Sequence, residues 1–179
     1  MTQAAEPAFS LRAMVPTADQ MAGLGGRIAG LLTAGDLVVL SGPLGAGKTT
    51  LTQGIGAGLQ VRGPVTSPTF VIARVHPSLV GGPDLVHADA YRLGSRAEVD
   101  DLDLDADLAS SVTVVEWGEG LVESLAGSYL AIGIAAQPPA GPVDGGDEAS
   151  QPRTVSISGW GTRWQDAAPQ ALQVLVSSA

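Results

Sequence analysis

The sequence predicts a single α/β domain of three layers, built on a mainly parallel central sheet. Three observations carry that reading. Short β-branched apolar runs alternate along the chain with stretches of helical periodicity. Two of those runs, Leu37-Val38-Val39-Leu40 and Val112-Thr113-Val114-Val115, are almost unbroken by polar residues, as strands covered on both faces must be. A glycine-rich turn stands between one such run and the helix that follows it, the strand–loop–helix unit of parallel sheets. The chain has 179 residues, the size of one domain with a substantial core, and residues 1–179 are read as one unit.

Each element follows from local chemistry. Residues 1–16 read as a loose leader ending in a first strand. Thr17 is placed to cap a helix from about Ala18 to Leu32, whose Met21, Leu24, Ile28, Leu31 and Leu32 share one face. Gly35 is the expected stop. Asp36–Ser41 is a short buried strand, Gly42–Thr49 the turn, and a helix opens at Lys48 and fades near Gly54–Gly58. Val65–Val75 is a loop turning into a strand, and Asp84–Tyr91 alternates enough to be another. Ser95-Arg96-Ala97-Glu98 has the capping-box pattern that opens a helix. After the buried strand at 112–115, Leu121–Leu125 is a helical turn or two and Leu130–Ile134 a strand. Residues 137–152 hold four prolines, three glycines and three acids, the composition of a flexible surface loop. That loop reads as an insertion between two hairpin strands, the second at Thr154–Ser158. A helix is expected from about Arg163 to Val176. This order places antiparallel additions at the C-terminal edge of the parallel core.

Composition narrows the function. There is no cysteine, which excludes disulfides, thiolate zinc sites and cysteine nucleophiles. Nine basic residues face 18 acidic ones for a net charge of −9. An acidic surface repels nucleic-acid backbones, so direct, independent nucleic-acid binding is not expected. No apolar stretch approaches the length of a membrane span, and the N-terminus lacks a basic segment followed by an apolar core. A cytoplasmic location is the expectation.

The sole lysine, Lys48, lies in Gly42-Pro43-Leu44-Gly45-Ala46-Gly47-Lys48-Thr49. That is G-x-x-x-x-G-K-[ST], the Walker A phosphate-binding pattern, and it makes the expected fold a P-loop NTPase-like domain. Glycines there let backbone N–H groups cradle phosphate oxygens. Gly45, Ala46, Gly47, Lys48, Thr49 and Thr50 are the expected nucleotide contacts, with Lys48 reaching the β/γ-phosphates and the Thr49 hydroxyl on Mg²⁺. A plain Gly/Ala turn would need neither the lysine nor the threonine.

Three further segments bear on the chemistry. In Thr66-Ser67-Pro68-Thr69-Phe70, proline holds Ser67 extended and the hydroxyls are short polar ligands. It reads as a switch loop near the γ-phosphate, or more plainly as a Ser/Thr/Pro turn. In His87-Ala88-Asp89-Ala90-Tyr91-Arg92-Leu93, Asp89 at a strand end suits a Walker B role, or equally a turn cap. His87 and Tyr91 would share its face if the segment is extended. Glu116, at the end of the run Val112–Val115, stands where open α/β sheets carry their sites and suits a Mg²⁺ ligand or a water-orienting group. Trp117 is assigned to packing. The acids between Glu98 and Asp107 read as a solvated face, with a docking surface for a basic partner as the sharper alternative.

Together these segments resemble the TsaE family, the bacterial ATPases of tRNA threonylcarbamoyladenosine biosynthesis. The resemblance runs in order through the Leu24-Gly25 pair, Leu44–Thr50, Ser67-Pro68-Thr69-Phe70, His87-Ala88-Asp89-Ala90-Tyr91-Arg92-Leu93 and Glu116-Trp117. It implies a small P-loop fold, ATP and Mg²⁺ as cofactors, and weak ATP hydrolysis. It also implies partners of the TsaB and TsaD type, which transfer threonylcarbamoyl to the adenosine beside the anticodon of ANN-decoding tRNAs. By the same resemblance Lys48, Asp89 and Glu116 are the catalytic set. Thr49 and Glu116 are the metal ligands, and Arg153 approaches the nucleotide. The sequence departs from the family's pattern in four places. Pro43 stands where an acid is common, Met21 where threonine often lies near the adenine, and Gly118 where proline usually follows the tryptophan. The insertion at 137–152 is longer than typical.

Other nucleotide proteins fit less well. A small GTPase would need an Asn-Lys-x-Asp segment, and the chain has no asparagine and one lysine. A small-molecule kinase would bring a cluster of basic residues to a lid; Arg62, Arg74, Arg92 and Arg96 do not cluster in the sequence. An ATP-sensing docking protein, which would use bound nucleotide without needing hydrolysis, shares every motif.

Overall fold

The computed structural model describes residues 6–68, 72–101, 103–136 and 151–165, with 173 and 175. Apolar runs become strands and periodic stretches become helices in the expected order, with α4 as an additional short helix that was not expected: β1 (Phe9–Val15), α1 (Ala18–Ala29), β2 (Leu37–Ser41), α2 (Lys48–Gly58), β3 (Ala73–His76), β4 (Asp84–Asp89), α3 (Arg96–Asp100), α4 (Leu104–Leu108), β5 (Ser111–Glu116), β6 (Tyr129–Ala136), β7 (Arg153–Trp160) and α5 (Thr162–Gln165). A 3₁₀ turn, Glu123–Leu125, precedes β6.

The seven strands form one sheet in the order β1-β7-β6-β2-β5-β4-β3. Its centre is parallel, with β2 between β6 and β5, and β4 beyond β5. Antiparallel strands extend it at the expected end, where β7 pairs with β6 and β1 closes on β7. A further antiparallel strand, β3, stands at the opposite edge against β4. The hairpin expected around residues 137–152 is present as the β6–β7 pairing. Most of the loop itself, and most of the expected C-terminal helix, lie outside the described residues.

Helices cover both faces. On one, α1 and α2 bury Leu24, Ile28, Leu51 and Ile55 against Val38, Leu40, Leu85 and Ile132. On the other, Val99 of α3 and Leu104 of α4 join Leu37, Val39, Val86 and Val115. Alternate β2 residues therefore enter opposite cores, which is why its sequence does not alternate. The packing of α1 on α2 is unusually close. A side-chain carbon built on Gly54 would lie 2.8 Å from the Ala22 carbonyl carbon, and one on Gly25 would lie 2.8 Å from Ile55 N.

Two boundaries differ from expectation. Thr17 caps α1 as predicted, accepting from Gln20 N–H at 3.2 Å. The helix then stops at Gly30 with right-handed backbone, rather than at Gly35. The Asp36 carboxylate takes the Thr33 N–H at 2.8 Å, closing a tight turn that competes with further helix. Gly35 holds φ 95° inside that turn and steers the chain into β2. Strand β4 ends at Asp89 instead of running to Tyr91. Asp89 Oδ1 accepts the Tyr91 N–H at 2.9 Å, turning the chain and leaving Tyr91 exposed. The capping box at Ser95 forms, with Glu98 reaching back to the Gly94 N–H rather than to that of Ser95.

Candidate functional site

The glycine loop leaves the C-terminal end of β2 and enters α2. Gly42, Gly45 and Gly47 hold φ of 140°, 75° and 108°, the left-handed region where a side chain is strained. At Gly42 space adds to conformation, since a side-chain carbon would lie 3.2 Å from the Ile134 carbonyl carbon and nearer still to its oxygen. Gly47 is the N-cap of α2 and supplies no side-chain acceptor. The first-turn N–H groups of the helix are thus left for a ligand, and the positive end of its dipole faces the same way. A cleft of about 430 Å³ lies over this turn, lined by Gly45, Ala46, Gly47, Lys48, Thr49 and Thr50. All six expected nucleotide contacts of the loop therefore share one cavity.

Lys48 is buried at 5% exposure. Its ammonium donates to the carbonyls of Gly42 at 2.7 Å and Pro43 at 2.9 Å. Pro43 thus serves through its carbonyl, which explains why proline is tolerated there. The Trp117 ring lies over Nζ, 3.9 Å from its centroid, a cation–π roof. Trp117 packs against the core as expected, yet its placement over the lysine is a second role that its sequence position did not reveal. It holds φ 60°, which costs a non-glycine residue about 1–2 kcal/mol, and its N–H is anchored on Leu40 O at 2.8 Å. Burial pushes the Lys48 ammonium below its usual 10.5, against the opposing pull of Glu116 and Asp89. A buried cation resting on neutral carbonyls, with N–H groups beside it, is suited to receive an anion.

The two acids are brought together by sheet register. Asp89 and Glu116 are cross-strand neighbours at the C-terminal ends of β4 and β5, and Glu116 also lies beside Leu40 of β2. Both line the cleft. The Thr49 hydroxyl donates to Glu116 Oε1 at 3.0 Å. Its lone pairs stay available, so hydroxyl and carboxylate form a hard-oxygen pair of the kind Mg²⁺ takes. Among the described residues no group of three or more His, Asp or Glu side chains could hold a metal unaided. An ion here would complete its shell with phosphate and water oxygens. Asp89 caps the Ala90–Tyr91 turn, the plainer of its two readings, and its side chain also lines the cleft.

His87 belongs to this site in a way the sequence reading did not find. It is fully buried, and its Nε2 lies 2.9 Å from Glu116 Oε1. The i, i+2 spacing to Asp89 gave the shared face; the contact to Glu116 depends on strand pairing. Ser67 and Pro68 line the far side of the cleft, while Thr69 and Phe70 lie outside the described residues. Of the four arginines weighed as a lid, Arg92 lines the cleft. Arg153 and Met21 meet in a neighbouring cavity of about 160 Å³, which shares Gly45, Gly47 and Thr50 with the loop. The acids Glu98, Asp100, Asp101, Asp103 and Asp107 are exposed on and around α3 and α4, the solvated face expected of them.

Fold and site together define a mixed α/β domain that carries a Walker A-pattern loop at the C-terminal ends of its parallel strands. Comparison with known proteins narrows the class. The family model TsaE, threonylcarbamoyl adenosine biosynthesis protein, matches residues 15–140. The chain belongs to the TsaE family, and its role lies in tRNA threonylcarbamoyladenosine biosynthesis. It is 60% identical over 145 residues to the tRNA threonylcarbamoyladenosine biosynthesis protein TsaE of Streptomyces coelicolor, covering 80% of this chain and 93% of that one. It is 52% identical over 125 residues to the TsaE of Mycobacterium bovis, covering 66% and 74%. The crystal structure of Bacillus subtilis YdiB superposes with a TM-score of 0.66 at 26% identity, over 93% and 94% of the two chains. Among the described residues no helix is long and apolar enough to cross a membrane.

Proposed function

We propose that the protein is a Mg²⁺-dependent ATPase of low intrinsic rate. In this reading it acts with TsaB- and TsaD-type subunits of the threonylcarbamoyl-transferase complex, on the adenosine beside the anticodon of ANN-decoding tRNAs. The observation that carries the reading is the buried Lys48 ammonium, set on the Gly42 and Pro43 carbonyls beside a helix start without a side-chain cap. Backbone N–H groups from Gly45 to Thr50 would hold the phosphates, and Lys48 would turn from its carbonyl acceptors toward them. Thr49 and Glu116 would hold Mg²⁺, which supplies positive charge to the phosphate oxygens as the terminal bond breaks. Asp89, beside Glu116 in register, would orient water at the same strand ends. Arg153 would flank the sugar or base in the neighbouring cavity.

The test pairs chemistry with pathway. Lys48→Ala removes a charge-assisted contact of about 2–3 kcal/mol, so ATP affinity should fall roughly 30- to 150-fold. Glu116→Ala should abolish Mg²⁺-stimulated hydrolysis in a protein that remains folded. A Lys48→Ala protein that binds and hydrolyses ATP like wild type would refute the site. Mass spectrometry of tRNA nucleosides from a depleted strain tests the pathway. Restoration of the modified nucleoside by Glu116→Ala would instead favour an ATP-sensing docking protein.

A further inference from the structure

The buried histidine beside the metal-ligand pair has no place in the proposed chemistry, and its environment says what it does. His87 has no solvent exposure and stands on β4 in register with Val114 of β5 and Arg74 of β3. Its Nε2 is 2.9 Å from Glu116 Oε1. Its Nδ1 is buried and has no hydrogen-bond partner among the described residues. The ring proton therefore belongs on Nε2, where an acceptor waits, and not on Nδ1, where none does. An apolar side chain would suit so dry a position better. The one polar gain that offsets the buried ring is the bond to Glu116.

That bond acts on the carboxylate. Oε1 accepts from two directions, from the Thr49 hydroxyl at 3.0 Å and from His87. Two donors on one oxygen fix the rotation of the group. They also hold it against a competitor, because the Lys48 ammonium attracts the same carboxylate. Glu116 nevertheless makes no ion pair with Lys48 among the described residues; its close side-chain partners are His87 and Thr49. Collapse of Glu116 onto Lys48 would consume a metal ligand and a phosphate ligand together.

We propose that His87 is a positioning residue whose Nε2–H holds the Glu116 carboxylate against Thr49 and away from Lys48, so that the two oxygen ligands meet the divalent ion already assembled. The inference rests on the Mg²⁺–nucleotide reading above and extends it to a residue outside the ligand set. Outer partners of this kind change metal affinity about 10- to 100-fold when removed.

The test is equilibrium binding of a non-hydrolysed ATP analogue by the full chain, titrated with and without Mg²⁺, for wild type, His87→Leu and His87→Gln. Glutamine places an amide N–H near the position of Nε2; leucine fills the space without a donor. In His87→Leu the Mg²⁺ midpoint should rise about tenfold or more, with a smaller loss of analogue affinity without Mg²⁺ as Glu116 competes with phosphate for Lys48. His87→Gln should recover most of the loss. In turnover, the apparent KM for Mg²⁺ should rise more than kcat falls. A folded His87→Leu protein with the wild-type Mg²⁺ midpoint would overturn the proposal, as would equal impairment of both variants. Binding by wild type that is indifferent to Mg²⁺ would overturn the metal reading and this inference with it. Long-range ¹H–¹⁵N spectra of the wild-type imidazoles test the same bond without altering His87. A proton on Nε2 whose signal moves in Glu116→Gln supports it, and a proton on Nδ1 refutes it.

Discussion

Gly23 and Gly54 both lie inside helices, and replacing each by alanine is expected to move stability in opposite directions. The intrinsic gain is the same at both, up to about 1 kcal/mol for alanine over glycine in a helix interior. Packing separates them. At Gly23 a new methyl meets only the end of the Arg27 side chain, at 3.7 Å. At Gly54 it lies 2.8 Å from the Ala22 carbonyl carbon and closer to the oxygen, about 0.6 Å or more inside the 3.4 Å where ordinary contact begins. Those neighbours are backbone, so the clash is relieved only by parting α1 from α2. Overpacking of that kind costs about 1–3 kcal/mol, which exceeds the helix gain. Gly54→Ala should therefore lose a net of up to about 2 kcal/mol, as much as roughly 8 °C in Tm for a domain of this size. Gly23→Ala should gain about 0.5–1 kcal/mol, roughly 1–4 °C. Thermal and guanidinium unfolding of the two variants beside wild type give the comparison. Because α2 begins at Lys48, Gly54→Ala should also weaken nucleotide binding, and Gly23→Ala should not. A Gly54→Ala protein as stable as Gly23→Ala would refute the claim that backbone contact, not side-chain interdigitation, sets this helix pair.

Two further outcomes are expected. Burial holds the His76 imidazole below its usual 6.5; its bond to the Arg62 carbonyl opposes this, and the nearby His87 and Arg74 add to it. The unfolded chain then binds the proton more readily, so stability should fall as pH drops below 6.5 and level off below the folded value. Denaturant midpoints between about pH 7.5 and about pH 5.5 should show this loss in wild type and a smaller one in His76→Phe; equal slopes would refute it. Arg153→Ala should weaken ATP binding by about 1 kcal/mol, roughly fivefold, without shifting the Mg²⁺ midpoint, since Arg153 lines the neighbouring cavity rather than the Thr49–Glu116 side. Unchanged affinity by calorimetry would remove Arg153 from the site.

Local chemistry was enough to read most of the elements and the loop. Gly42–Thr49 announces its chemistry because consecutive residues perform it, and Thr17 and Ser95 announce helix starts because caps are local. The runs in β2 and β5 declared a doubly covered sheet because burial on both faces leaves no room for alternation. What the tertiary structure alone decided are relations between distant segments. Register put Asp89 beside Glu116 and brought His87 onto the same carboxylate. A left-handed turn after β5 swung Trp117 over Lys48, a conformation that a non-glycine residue does not advertise. The helix stop moved from Gly35 to Gly30 because the Asp36 side chain captured a backbone N–H three residues before it. For the register and the turn, the deciding energy is a contact between groups whose separation along the chain carries no signal; the helix stop is local, but nothing in the sequence shows that Asp36 will turn back to the Thr33 N–H. Hydrogen bonding and packing in the folded sheet, not periodicity, settle where such groups meet.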